Sequence, residues 1–450
     1  LSNTACGCWL PSWPTNRQRP ACRTSWPLAG IRFRPGRIVP YRLKFRTDFV
    51  TTKMDNNLLF DGLESIASNP DGFSYPPPGI LFKANFKDLF EDYEFEGGLR
   101  VPTSFNGTEY FAVFNNKKKR LDQRFAVYRR NLRIAQDNSV QAQRQENNIL
   151  LGQYGVSYPL DIFRSIRATA TVRRDRVLQL ATDRATLEEP TISDQRIGLK
   201  LEYVFDNTLD VALNIKHGTR YKIWGEMVKK FALNFTDEFS FEADKGFMTI
   251  LGLDARHYQR LDRNSIFAVR LAAATSFGSE QNLYFLGGVD NWLFPTNITE
   301  ISTPPNGNFA YQTQAANLRG FGSNIRNGSS YALVNAELRM PIFKYLSRRI
   351  RSSFLRNFQV IGFFDVGTAW VGSSPYSDEN PLNTSFFPEE NPTSAVRVKV
   401  TYFRDPIVAG YGVGARALLF GYFVRVDYAW GIETREIQDP VWHFSLGMDF

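Results

Sequence analysis

Cysteine is nearly absent from this 450-residue chain. Only Cys6, Cys8 and Cys22 carry a thiol, all near the start, so no disulfide framework holds the remainder together. A body without thiols suits an exported protein that avoids stray disulfides. The three histidines, His217, His257 and His443, are too scattered for a Cys/His metal site. Nowhere do roughly 20 mostly apolar residues follow one another, the length that a membrane-crossing helix needs. The best run, Leu418 to Val424, is short and interrupted by Gly421. No Gly-rich phosphate loop, nucleophile elbow or His-based triad is visible, so the chain reads as a non-enzyme without cofactor or metal.

Acidic residues are missing from the opening stretch. Residues 1 to 46 hold Arg17, Arg19, Arg23, Arg32, Arg34, Arg37, Arg42, Lys44 and Arg46 but no Asp or Glu. Those nine account for the whole formal charge of +9: 54 Lys and Arg less nine leaves 45, against 45 Asp and Glu. The body is therefore neutral, and nucleic acid is not an expected partner. Pro11, Pro14, Pro20, Pro27 and Pro35 break the same stretch, so residues 1–37 are read as an unstructured N-terminal segment and 38–450 as one domain. A chain that opens at Leu1 with no signal peptide reads as a fragment.

Aromatic residues are plentiful, at 14% with 38 Phe, which suits strands and membrane-interface girdles better than a helical core. Apolar and polar side chains alternate along many segments. Tyr422, Val424, Val426, Tyr428 and Trp430 oppose Phe423, Arg425, Asp427 and Ala429; Ala332, Val334, Ala336, Leu338 and Met340 oppose Tyr331, Asn335, Glu337 and Arg339. Ile197, Leu199, Leu201, Tyr203 and Phe205 likewise oppose Arg196, Gly198, Lys200 and Glu202. In a soluble sandwich such apolar faces would meet each other. In a transmembrane barrel they meet lipid while the charges line a wet lumen.

Connection lengths favour the barrel. Tight turns at Phe420-Gly421 and Arg260 to Asn264 alternate with long polar connections at Asp175 to Asp194, Gly278 to Gly328 and Gly372 to Val400. The pattern predicts an all-β fold, a transmembrane antiparallel β-barrel of about 16 strands, at 40–50, 78–87, 91–101, 107–116, 121–134, 148–159, 163–174, 195–207, 218–232, 246–260, 263–277, 329–342, 357–371, 406–419, 421–431 and 441–450.

The longest connection contains Asn317-Leu318-Arg319-Gly320-Phe321-Gly322. It precedes a strand with Asn335, Glu337 and Arg339, and then Phe364-Asp365-Val366-Gly367. Here the chain resembles the outer-membrane protein assembly and two-partner secretion superfamily, the bacterial surface antigen barrel, well over 195–450 and loosely over 40–175. That resemblance implies a sixth external loop folded into the lumen. Leu318, Arg319, Gly320 and Phe321 would form its tip, with Glu337 and Asp365 as acidic partners on the lumen wall. A guanidinium in a confined lumen needs a planar carboxylate, which Lys cannot replace without losing the fork. The alternating end Trp442, Phe444, Leu446, Met448 and Phe450 is similar to the terminal signal by which outer-membrane strands are recognised for insertion. Asp88 to Asp92, Gly97-Gly98 and Lys117 to Asp122 resemble the barrel half of Bacteroidetes proteins that join a TolB-like propeller to such a barrel.

The resemblance implies a bacterial outer-membrane location and assistance to the insertion or translocation of other polypeptides. Outer-membrane lipid, client polypeptides and a periplasmic accessory domain or protein are the implied partners. The alternatives are a membrane anchor for a missing N-terminal propeller or enzyme domain, and a passive pore.

Overall fold

The structure is a computed structural model. It describes residues 41–56, 58–67, 78–136, 143–180, 191–234, 240–242, 246–296, 298, 301, 303–304, 307–315, 317–347, 350–387 and 398–448. The segment expected to be unstructured, 1–37, and the terminal Phe450 lie outside the described residues.

Period-two alternation forces an extended backbone, because only a strand sends successive side chains to opposite faces. Among the described residues sixteen principal strands build the wall, besides shorter ones in the connections: β1 Arg46–Asp55, β2 Gly79–Lys87, β3 Tyr93–Pro102, β4 Gly107–Asn116, β5 Asp122–Gln136, β6 Gln143–Pro159, β7 Arg164–Leu180 and β8 Ile192–Asp206. The second half comprises β9 Ile215–Asn234, β10 Phe247–Arg260, β11 Ile266–Gly278, β12 Ser330–Met340, β13 Gln359–Trp370, β14 Val408–Leu419, β15 Tyr422–Glu433 and β16 Val441–Leu446. Each pairs antiparallel with its neighbours in sequence, so the sheet is an up-and-down meander of barrel type. No helix among the described residues is long and apolar enough to cross a membrane.

The apolar faces look outward. Leu199, Leu201, Val334, Phe364, Val413 and Trp442 are exposed, while Asn335, Glu337, Arg339, Asp365, Arg416, Asp427 and His443 are buried. That inversion of the soluble rule is the signature of a barrel whose solvent is hydrocarbon. Aromatic side chains tile both rims. Tyr93, Phe114, Phe125 and Tyr154 neighbour one another at the end with short turns, and Tyr411, Trp430, Tyr428 and Trp442 at the end with long loops. Such belts sit at the two membrane–water interfaces.

Four expectations need correction. The first strand runs Arg46–Asp55 rather than 40–50, continuing while β2 can still pair with it, up to Asp55↔Gly79. The expected connection Asp175 to Asp194 is shorter than expected at both ends, since β7 and β8 stay paired to Val177↔Ile192 and so rise beyond the 9–11 residues that span a bilayer, while residues 181–190 lie outside the described residues. The last strand stops at Leu446 because Gly447 takes φ +132, outside the extended range. Leu446 is itself buried rather than lipid-facing, at the point where its amide meets the Asn291 carbonyl of the long loop. Trp442, Phe444 and Met448 are exposed as the alternation requires.

Candidate functional site: a two-loop plug inside the barrel

The connection between β11 and β12 folds inward and makes its own small sheet. Gln281–Leu286 pairs parallel with Phe309–Gln314 and antiparallel with Arg326–Gly328. Backbone groups removed from water must be paired, and this sheet supplies the partners. Its apolar side chains, Leu286, Leu318 and Phe321, pack against Tyr331, Leu333 and Val408 of the wall.

Arg319 sits at the tip of this loop and is buried. Its Nε donates to Asp365 Oδ2 at 2.7 Å and Nη2 to Asp365 Oδ1 at 2.8 Å, a bidentate fork, while Nη1 donates to Glu337 Oε1. Its backbone amide also points at Asp365 Oδ2, 3.2 Å away, and its guanidinium lies 3.8 Å from the centroid of Phe363. Register explains why two strands can share one arginine: Asn335 pairs with Asp365 across β12 and β13, and Glu337, two residues on, projects from the same face. Asn335 Nδ2 donates to Asp365 Oδ1 and to the Asn317 carbonyl, joining wall, carboxylate and loop. Glu337 is further held by Arg339, with Arg416 3.9 Å away.

The tip reaches the wall only where the wall has no side chain. A Cβ on Gly410 would run into the Arg319 carbonyl, and one on Gly431 into the Phe321 ring. Gly320 adopts φ +94, where other residues are strained, and its amide donates to His443 Nε2 at 3.1 Å. The structure thus brings Leu318, Arg319, Gly320, Phe321, Glu337 and Asp365 into one buried cluster. Sequence reasoning missed Gly410, Gly431, Asn335, Phe363 and His443 as parts of it. The Gly410-x-Gly412-x-Gly414 run on an inward face was the available signal for the first.

A second inserted segment was not anticipated. Residues 58–67, from the connection between β1 and β2, also enter the lumen. Phe60 and Leu63 pack on Phe111, Tyr128 and Leu151, and the Arg173 guanidinium donates to the carbonyls of Gly62 and Glu64 at 2.9 and 2.8 Å. Lys200 pairs with Asp61 at 2.8 Å. The short strand Ser65–Ile66 then extends the loop sheet through Tyr311↔Ile66 and Gln312↔Ser65. The sequence did carry a hint, the Leu58-Leu59-Phe60 cluster in an otherwise polar connection. Beneath this segment, toward the short-turn end, remains a cavity of about 400 Å³ lined by Arg124, Gln153, Arg167 and Lys200 among others. No cluster of possible metal ligands occurs among the described residues.

No protein-family model matches the chain, and no curated protein does. Among solved structures it is similar to BamA from Haemophilus ducreyi lacking POTRA domains 1-3, at 12% identity and TM-score 0.47, over 88% of this chain and 74% of that one. It is similar to CdiB from Acinetobacter baumannii at 11% identity and TM-score 0.46, over 88% of this chain and 59% of that one. CdiB from Escherichia coli aligns at 11% identity and TM-score 0.47, over 91% of this chain and 63% of that one. The chain thus spans less than two thirds of either CdiB.

Proposed function

We propose that the chain is a bacterial outer-membrane barrel that assists the insertion or translocation of other polypeptides, with its short-turn end in the periplasm. The observation that supports this most is the condition of the first strand. From Arg46 to Lys53 β1 is exposed on both faces, and among the described residues the ladders that build the sheet leave its outer side as an edge. In hydrocarbon an unpaired backbone group costs several kcal/mol, so such an edge favours any strand that pairs with it. A client segment adding itself there would be β-augmentation within a membrane.

The lumen speaks against a passive pore, since two inserted segments joined by main-chain pairing fill much of it. The knot of Arg319, Glu337 and Asp365 then holds the plug and performs no bond chemistry. The narrower likeness to propeller-barrel proteins remains part of the proposal. Within that stretch, Asp88 accepts the Tyr93 amide at 2.9 Å and so shapes the turn between β2 and β3.

The test uses phospholipid vesicles carrying the barrel and an unfolded outer-membrane barrel as substrate. Protein-bearing vesicles should fold the substrate faster than empty ones. The Asn56 amide lies 3.2 Å from Asn291 Oδ1, so Asn56→Cys with Asn291→Cys should tie the top of β1 to the loop when oxidised. The oxidised variant should slow the substrate and reductant should restore it. Equal rates with and without the protein would end this reading and leave that of a membrane anchor.

A further inference from the structure

The short-turn end carries a feature that neither the plug nor the strand edge uses. The connection between β12 and β13 holds two single-turn helices, α1 Ile342–Leu346 and α2 Ser353–Asn357. Phe343, Phe354 and Phe358 cluster there, with ring centroids 5.4 and 5.8 Å apart, and Ile342 and Leu346 are exposed beside them. A knot of aromatic rings with bare aliphatic neighbours at a barrel rim is the composition of a membrane interface. Tyr345 ties the connection to the β10–β11 turn, its hydroxyl 2.6 Å from Ser265 Oγ and donating to Asp262 Oδ2 at 2.8 Å.

Between that turn and α1 opens a cleft of about 590 Å³, whose lining includes Arg263, Lys344 and Arg356. The one carboxylate in the lining, Asp262, is already engaged by the Tyr345 hydroxyl and the Asn264 amide, which hold it below the ordinary aspartate range. Among the described residues no ion pair joins Arg263, Lys344 or Arg356 to a carboxylate. Partial burial and the nearby Arg356 push the Lys344 ammonium below its usual pKa, which a bound anion would reverse.

We propose that this cleft binds the phosphate headgroup of an anionic glycerophospholipid in the periplasmic leaflet, with Lys344 and Arg356 on the phosphate and Arg263 at the mouth. The exposed Ile342, Leu346 and Phe354 lie beside it, where acyl chains would run. The assignment rests on the membrane-barrel reading above. At the usual membrane-surface scale each cation contributes about fivefold in binding, so removing two should cost about thirtyfold.

Native mass spectrometry of the refolded barrel released from micelles, with phosphatidylglycerol or phosphatidylcholine added, reads bound lipid directly. Wild type should retain phosphatidylglycerol preferentially. Lys344→Gln with Arg356→Gln should lose that preference by about thirtyfold, and Arg263→Gln alone by about fivefold. Heat-modifiable gel migration of every variant reports whether the barrel is intact, and its absence from wild type would indict the barrel reading rather than the site. An equal loss from Lys118→Gln with Lys119→Gln, on the turn between β4 and β5, overturns the site in favour of diffuse charge. Inorganic phosphate that displaces the lipid at equal concentration overturns the lipid assignment. Unchanged retention in the double variant overturns the proposal outright.

Discussion

Arg319→Ala isolates the grip of the plug on the wall. The substitution removes both arms of the fork on Asp365 and the bond to Glu337, while leaving those two carboxylates buried. Their losses are unequal. Glu337 keeps Arg339, whose Nε donates at 2.8 Å, whereas the side-chain donor left near Asp365 is Asn335 Nδ2 at 2.8 Å. Breaking a buried pair by removing one partner costs about 3–5 kcal/mol, because a charge stays behind without compensation. At about 1.4 kcal/mol per decade, the docked loop should lose two to four decades of population relative to the undocked one. Hydrogen exchange of the peptide 317–322 in the folded barrel measures that change, because docking hides its amides. Adding Asp365→Asn to Arg319→Ala should restore roughly 1–3 kcal/mol of protection, since a neutral amide is cheaper to bury than an orphaned carboxylate. Protection equal to wild type in the single variant would refute the reasoning, and so would a double variant worse than the single.

Two further outcomes follow from the same contacts. Phe60→Ala empties a site bounded by Phe111 and Tyr128, with ring centroids at 5.5 and 5.9 Å, and should loosen residues 58–67 by about 3 kcal/mol, read as faster exchange there while the barrel strands keep their protection. Gly410→Ala places a methyl where the Arg319 carbonyl lies, so it should undock the tip and raise protease cleavage in the long loop, whereas Gly362→Ala, with open space around its Cβ position, should leave cleavage unchanged.

Period-two patterning made the strands legible, because a one-residue slip would turn Arg339 and Asp365 into lipid and so register is tightly specified. Both ends of the sheet were harder to read. β1 is exposed on both faces, so nothing selects one parity of side chain over the other in its sequence. β16 stops early because Gly447 leaves the extended range and the long loop reaches its end. The tip motif was visible as residues, while its partners Glu337 and Asp365 were what the family resemblance implied, with the alternation on β12 agreeing that Glu337 faces inward. The surrounding glycines were not visible in that role, since a missing Cβ acquires meaning only when another backbone approaches it. The segment 58–67 escaped for a similar reason. Its stabilisation comes from Arg173 and Tyr311, more than a hundred residues away in sequence, and no local pattern encodes such contacts.

The two inserted segments have separate arginine anchors, although the long loop also reaches β7, where the Tyr311 hydroxyl donates to Asp175 Oδ2 at 3.1 Å. Arg319 fastens the long loop to β12 and β13, while Arg173 on β7 fastens the 58–67 segment. Among the described residues the segments meet through a short ladder, Tyr311–Gln312 with Ser65–Ile66, continued by the Ala67 amide donating to the Ala310 carbonyl at 3.3 Å. A join so short is weak compared with either anchor. Strain applied where β1 ends, at Asn56, passes to the loop through Asn291 and Trp292, which accept both its amide groups. The Trp292 neighbourhood in turn bridges to Ser445 on β16. A strand that displaced β1 would therefore pull on the loop at Asn291–Trp292 and on 58–67 directly, and the short join between the segments would part before either arginine let go. The plug would then split in place instead of leaving the lumen, and the barrel could open at its edge without becoming a free channel.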